Sequence, residues 1–161
     1  MQGKYTSFEY GFNTKGKRNN DVGEDVISIF SSPDSWTTRY AGTPVNISTT
    51  TEGEIELTAD GEKPEYLLYT RVDDKLTDME WMTGAVLRDE REAGMKVDIY
   101  PFKTNAIIRT KLFADGYTPS AGDDLYVASG KFQKTDPQGG SGTIVGEVKS
   151  VDGDYARVVL K

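Results

Sequence analysis

Residues 143–160, TIVGEVKSVDGDYARVVL, contain two runs rich in β-branched residues on either side of Asp152-Gly153. An Asp-Gly pair between two such runs is a strong signal for a tight β-hairpin. Residues 143–151 and 155–160 are therefore predicted to form two neighbouring antiparallel strands.

Working back from this hairpin, short apolar runs alternate with Gly, Asp and Pro as far as Tyr40. Such spacing is typical of small barrels and sandwiches. The predicted fold is mainly β, a small barrel or sandwich of about eight strands. The remaining predicted strands are 45–47, 55–57, 66–72, 95–100 with Pro101 ending it, 105–112 and 124–128.

Residues 76–93 are the one place where a short helix is predicted. Leu76, Met79, Met82 and Val86 lie near helical spacing, and an Asp precedes them as a possible N-cap. Gly84 weakens the pattern, and Met82 to Arg88 is compatible with a further strand.

Two segments eighty residues apart resemble each other, 41–47 (AGTPVNI) and 121–127 (AGDDLYV). Each places Ala-Gly shortly before an alternating run. A match this short favours a shared turn type over a duplicated half.

Residues 1–40 differ from the rest and are predicted to be an N-terminal arm and lead-in segment, with a β-rich body at 41–161. Within the first twenty residues, four cationic side chains against one carboxylate give a charge of +3, so the remainder carries −10 of the total of −7. The segment has aromatic side chains but no periodic apolar face. We expect residues 1 to about 20 to be mobile in the isolated protein and to become ordered on a partner.

Composition limits the chemistry. The chain has no Cys and no His, which removes Ser-His and Cys-His nucleophile pairs and zinc sites. Carboxylates are frequent between residues 73 and 92, but their pattern is typical of a solvated acidic face. We therefore expect no catalytic residue, no cofactor and no transition metal.

The sequence also argues against two classes of partner. A net charge of −7 disfavours binding along a phosphate backbone, and no apolar stretch has the length of a bilayer-spanning helix. Two acidic groups could be taken for calcium loops, Asp123-Asp124 and Asp152-Gly153-Asp154. We interpret them as turns, because the terminal Glu of a calcium loop is missing.

The last 45 residues carry a resemblance. Residues 119–127 (PSAGDDLYV) precede Gly130-Lys131-Phe132, then 144–148 (IVGEV) and 153–160 (GDYARVVL) follow. In this order the motifs resemble the C-terminal barrel of head decoration proteins, the capsid-stabilising or cement proteins of tailed bacteriophages. About a third of the chain is covered.

The resemblance implies a non-enzymatic virion protein that is made in the host cytoplasm and binds the outer capsid surface. There it would clamp neighbouring major capsid protein subunits as a homotrimer, with the arm adding a strand to the capsid protein and becoming ordered on the capsid. Alternatives are another virion component, such as a tail tube, fibre or baseplate part, or a carbohydrate-binding module with Tyr66, Tyr69, Trp81 and Tyr100 as stacking faces. The predicted partner-binding side chains are Tyr5, Phe8, Tyr10, Phe12, Lys15, Lys17, Arg18, Trp36 and Trp81.

Overall fold

The computed structural model describes residues 27, 29–36, 38–40, 42–69, 71–73, 90–91 and 97–161. Within these residues it contains three β-sheets and no helix, which confirms the predicted mainly β fold. The strands are β1 (Thr38–Arg39), β2 (Pro44–Ile47), β3 (Ile55–Leu57), β4 (Tyr66–Leu68), β5 (Arg71–Asp73), β6 (Glu90–Arg91), β7 (Ile99–Pro101), β8 (Ile107–Thr110), β9 (Asp124–Ala128), β10 (Lys131–Gln133), β11 (Gly146–Asp152) and β12 (Tyr155–Leu160).

Two antiparallel sheets form the body. Sheet 1 has the strand order β3-β2-β4-β7, and sheet 2 has the order β10-β9-β11-β12-β8. A small sheet of order β1-β5-β6 contains one parallel pair, between β5 and β6.

Sheet 1 is buried on both faces, as Leu67 and Leu68 demonstrate. Successive side chains of a strand point to opposite faces, and both leucines are 0 % exposed. Leu68 belongs to core A, which also contains Val45, Ile55 and Ile99. Leu67 belongs to core B, whose other members come mostly from sheet 2. Core B therefore joins the two sheets face to face, as in a sandwich.

The strands of sheet 2 follow the alternation in the sequence. In β9, Leu125 and Val127 are fully buried while the residues between and beside them are partly exposed. The bounds of β9 and β12 match the predicted ranges 124–128 and 155–160. A run with one apolar face and clear turn residues at both ends leaves little choice of register.

Two predicted strands differ from the structure. The run 66–72 is two strands, β4 and β5, because after Leu68 the chain leaves sheet 1 and enters the small sheet. The strand predicted to end at Tyr100 ends one residue later, because Pro101 is the last residue of β7. Ile99 donates its N–H to Ile27 and Phe102 donates its N–H to Glu65, so nitrogens of Ile99 and Pro101 face away from β4. Proline therefore costs sheet 1 no hydrogen bond.

The predicted helix at 76–93 lies outside the described residues, except for Glu90–Arg91, which form strand β6. The lead-in segment is described in part, and it is joined to sheet 1. Ile27 pairs with Ile99 through two hydrogen bonds of 2.9 Å, and Ser31 bridges to Glu54. Residues 1–26, which include most of the predicted arm, lie outside the described residues.

The two similar segments form the same turn. Gly42 and Gly122 have φ values of 94° and 92°, in the left-handed region that glycine tolerates best. Each glycine donates its N–H to a carbonyl oxygen of a neighbouring strand, which is β4 for Gly42 and β11 for Gly122. The same residue of that strand donates its own N–H to the carbonyl oxygen of the residue after the glycine. The bonds are Gly42 to Leu68 O at 2.6 Å, Leu68 to Thr43 O at 2.8 Å, Gly122 to Val148 O at 2.8 Å, and Val148 to Asp123 O at 2.9 Å.

Strand β11 contains a β-bulge. Val148 lies opposite Val158 and Ser150 lies opposite Arg157, so Lys149 is the extra residue. Beyond the bulge the pairing continues to Asp152 opposite Tyr155, and Gly153 with φ 60° closes the hairpin. A bulge of this kind increases the local twist of its strand.

Candidate interaction surfaces

Most of the predicted partner-binding residues lie outside the part of the chain that the structure describes. Trp36 is the one that the structure describes. The others lie outside the described residues: Tyr5, Phe8, Tyr10, Phe12, Lys15, Lys17, Arg18 and Trp81. Their role in binding stays a prediction.

Trp36 is a member of core A. Its side chain is 7 % exposed, and its backbone N–H donates to Pro33 O at 3.0 Å. The Arg39 guanidinium lies over the indole, 5.4 Å from the ring centroid, at a distance typical of a cation–π contact. In the single chain the ring therefore packs against sheet 1 and is not presented as an exposed anchor.

The first acidic pair, Asp123-Asp124, is used inside the fold. Asp123 Oδ1 accepts a hydrogen bond from Lys134 Nζ at 2.7 Å, and Asp123 Oδ2 accepts from Tyr117 Oη and Ser120 N, both at 3.0 Å. The bond from Lys134 holds the pKa of Asp123 below its usual range. Burial, together with the bond to Asp123, raises the pKa of Tyr117. The Asp123 carboxylate thus fastens the loop before β9 to the residue after β10.

The second acidic group lies at the β11–β12 hairpin, where Asp152 and Asp154 flank Gly153 and all three are exposed. Within the described part of the chain, no group of three or more His, Cys, Asp or Glu residues could hold a metal ion. Gly153 supplies the positive φ that the turn requires.

An open cleft of about 330 Å³ lies between this hairpin and the loop after β8. Arg109 stacks on the Tyr155 ring nearby, with 3.7 Å between the guanidinium carbon and the ring centroid. Val151, 41 % exposed, is on the same hairpin. The cleft is lined by Lys111, Phe113, Ala114, Tyr117, Thr118, Pro119, Gly153 and Asp154. These aromatic and cationic groups suit contact with a protein segment.

The sequence analysis did not single out this cleft. The signal was present in Arg109 and Lys111, two cations at alternate positions of the predicted strand 105–112, followed by Phe113 and Tyr117. Alternate residues share one face of a strand. What the sequence does not contain is the position of the β11–β12 hairpin, about forty residues later, which completes the cleft.

The aromatic row that a carbohydrate-binding module would need is not formed by the residues proposed for it. Tyr100 is 1 % exposed and belongs to core B. Tyr66 packs against core A and Tyr69 against core B. Trp81 lies outside the described residues. Tyr66, Tyr69 and Tyr100 therefore contribute to the two cores and do not line up as an exposed face.

Comparison with known proteins gives one structural relative. No protein-family model matches this sequence, and no curated protein matches it significantly. Among solved structures, the N base of head fiber gp8.5 from bacteriophage phi29 is similar, with a TM-score of 0.51 and 19 % sequence identity. The match covers 84 % of this chain and 94 % of that chain. The two proteins share a fold.

None of the described residues forms a helix that is long and apolar enough to cross a membrane.

Proposed function

We propose that this protein is a structural component of a phage virion that binds the outer surface of the capsid. In this proposal it stabilises the shell by contacting neighbouring major capsid protein subunits, and it performs no chemistry. The observation that carries the proposal is the fold shared with a phage head-fibre base over most of both chains. A fold alone does not specify a function, so the sequence must supply the rest.

The motifs that resemble head decoration proteins support the same fold in physical terms. Gly122, Gly130 and Gly153 have positive φ values and form the turns around sheet 2. At Gly146 an added Cβ would lie 2.7 Å from Val158 Cγ1, so a side chain there would displace its neighbour. These glycines are required by the sheet, while partner binding depends on other surfaces.

The partner surfaces of the proposal are the N-terminal arm and the cleft beside β8. The arm would add a strand to an exposed sheet edge of the capsid protein, with Phe8, Tyr10 and Phe12 facing one side. Its basic residues would meet acidic groups, so attachment should weaken as salt is added. The cleft, with Lys111 and Phe113 in its lining, offers a second contact on the body.

A second virion position is favoured by the same comparison. The similar structure is the base of a head fibre, so this chain is also a candidate for a base that anchors a fibre or another projecting part. Both functions require capsid binding. They differ because a decoration protein stabilises the shell by itself, whereas a fibre base carries a further segment or partner.

Binding to purified capsids of the phage that encodes this chain tests the proposal. The full chain should co-sediment with capsids, raise the temperature at which they open, and occupy symmetric positions on their outer surface in cryo-electron microscopy. Its mass in light scattering should be that of a homotrimer. Full-length protein that does not sediment with capsids at low salt would contradict the proposal.

A matched pair of variants tests the arm. Deletion of residues 2–20 should abolish or strongly weaken capsid binding, and a triple variant with Lys15, Lys17 and Arg18 changed to Ser should bind with reduced salt dependence. A control variant, Glu52→Ser, changes an exposed charge of the body. If the truncated protein binds as tightly as the full chain, the arm has no part in attachment.

A further inference from the structure

Sheets 1 and 2 are built to the same plan. Each sheet contains four neighbouring strands in the same order. When these four strands are numbered along the chain, their order across the sheet is second, first, third, fourth, which is β3-β2-β4-β7 in sheet 1 and β10-β9-β11-β12 in sheet 2. The fifth position is filled in both from an earlier part of the chain. Ile27 pairs antiparallel with β7, and β8 pairs antiparallel with β12.

The register is also the same. Val45 lies opposite Tyr66 in sheet 1, and Leu125 lies opposite Gly146 in sheet 2. When the pairings are superimposed in this way, every core A residue except Trp36 has an equivalent in core B. The equivalent core residues are Ile27 and Ile108, Val45 and Leu125, Ile55 and Phe132, Leu68 and Val148, Val97 and Ala156, and Ile99 and Val158. The body therefore contains two repeats of one module, which has four strands in the same order and an earlier segment paired with the last of them.

The two modules stack in one direction. Leu67 and Tyr100 lie on the face of sheet 1 that points away from core A, and both are buried in core B. The outer face of the first module thus covers the inner face of the second. A contact between two different faces can in principle be repeated by a third module or a second copy of the chain.

A further module would add to the outer face of sheet 2. This face differs from the outer face of sheet 1 at four equivalent positions. Its residues are polar or smaller where those of sheet 1 are apolar. The equivalent pairs, sheet 1 residue first, are Pro44 and Asp124, Leu67 and Glu147, Tyr100 and Val159, and Phe102 and Lys161.

Four charged residues at this face, Asp124, Glu147, Lys149 and Lys161, form a connected cluster. Lys161 Nζ lies 2.9 Å from Asp124 Oδ1 and 3.1 Å from Glu147 Oε2, and Lys149 Nζ lies 2.7 Å from Glu147 Oε1. The bond from Lys149 lowers the pKa of Glu147, and the bond to Asp124 raises the pKa of Lys161. Glu147 therefore stays ionised to lower pH, and Lys161 to higher pH, than the free side chains would.

We propose that this ion-pair cluster on the outer face of sheet 2 closes the stack, so that neither a third module nor the same module of a second copy adds to that face. Covering the cluster would remove its charges from water, and a partly apolar surface would not replace the lost hydration. Terminal units of repeat proteins carry polar outer faces for the same reason. Self-association and capsid binding would then use other surfaces, independently of the proposed function.

The test gives sheet 2 the residues of sheet 1. In the double variant Glu147→Leu/Lys161→Phe, two charged positions receive the residue types found at Leu67 and Phe102. Sedimentation velocity across a wide range of concentration should show species larger than those of the parent, with self-association tighter by on the order of tenfold or more. The control Glu62→Leu/Lys63→Phe makes the same changes at exposed loop positions and should sediment like the parent.

Circular dichroism identifies variants that keep the β fold. If the double variant does not fold, Glu147→Gln/Lys161→Met removes the charges with smaller changes in shape and should show the same direction of effect. A folded variant that sediments like the parent would overturn the proposal. A control that associates as strongly as the variant would also overturn the proposal, because exposed apolar residues at any position would then cause association. Capsids are absent from this experiment, so its outcome is separate from that of capsid binding.

Discussion

Replacing Leu67 by Ala tests whether the two sheets share core B. Leu67 is 0 % exposed and packs with residues of sheet 2. Removing three side-chain carbons forfeits roughly 2.5 kcal/mol of transfer free energy, and the cavity left behind brings the usual total to about 2–5 kcal/mol. With a urea dependence of about 2 kcal/mol per molar, the unfolding midpoint should fall by about 1–2.5 M.

The neighbouring residue provides the matched control. Leu68→Ala makes the same chemical change one residue along β4, but on the face that belongs to core A. Urea unfolding followed by circular dichroism should show a loss of similar size for both variants. Val151→Ala, at a 41 % exposed position, should cost less than about 1 kcal/mol. A small loss for Leu67→Ala beside a full loss for Leu68→Ala would refute the shared core.

Three further predictions use the same assay. Gly130→Ala should cost about 1–2 kcal/mol, because φ is 75° there; an unchanged midpoint would contradict this. The lowered pKa of Asp123 means that its stabilising effect is present above about pH 4 and is lost as pH falls through that lowered value. Asp123→Asn should therefore be less stable at neutral pH and should lose stability less steeply in acid than the parent; parallel pH curves would contradict it. Trp36→Ala should lower the free energy of unfolding by about 3–5 kcal/mol, whereas deletion of residues 2–20 should leave the unfolding midpoint unchanged. A midpoint lowered by the deletion and unchanged by Trp36→Ala would place the arm, and not Trp36, in the core.

Strand positions were predicted correctly from the sequence where the pattern of a single strand was sufficient. In β9 and β12 an apolar residue occupies every second, buried position and glycines lie close by, so the sequence indicated both the strand period and the strand ends. The sequence was not sufficient where a neighbouring strand decided the outcome. Pro101 continues β7 because its nitrogen faces away from β4, and that direction depends on pairing with a strand thirty residues earlier.

The internal repeat illustrates the same limit. The two Ala-Gly segments were visible in the sequence, but Val45 and Leu125, or Ile55 and Phe132, share nothing except apolar character. Their equivalence lies in register, which is a property of paired strands. The cleft beside β8 was missed for a related reason, because its walls come from segments far apart in the chain. The predicted binding residues of the arm remain a hypothesis, since they lie outside the described residues.

The bulge at Lys149 makes the cleft sensitive to chain length. The extra residue adds twist to β11 before the hairpin whose tip, Gly153 and Asp154, forms one wall of the cleft. A one-residue deletion at Lys149 would restore a regular ladder with Ser150 still opposite Arg157, and the loss of the extra twist would move the tip. The spacing between that tip and Lys111 would change although no lining residue had been replaced. Related proteins could thus alter what the cleft accepts by gaining or losing a single codon at a site outside it.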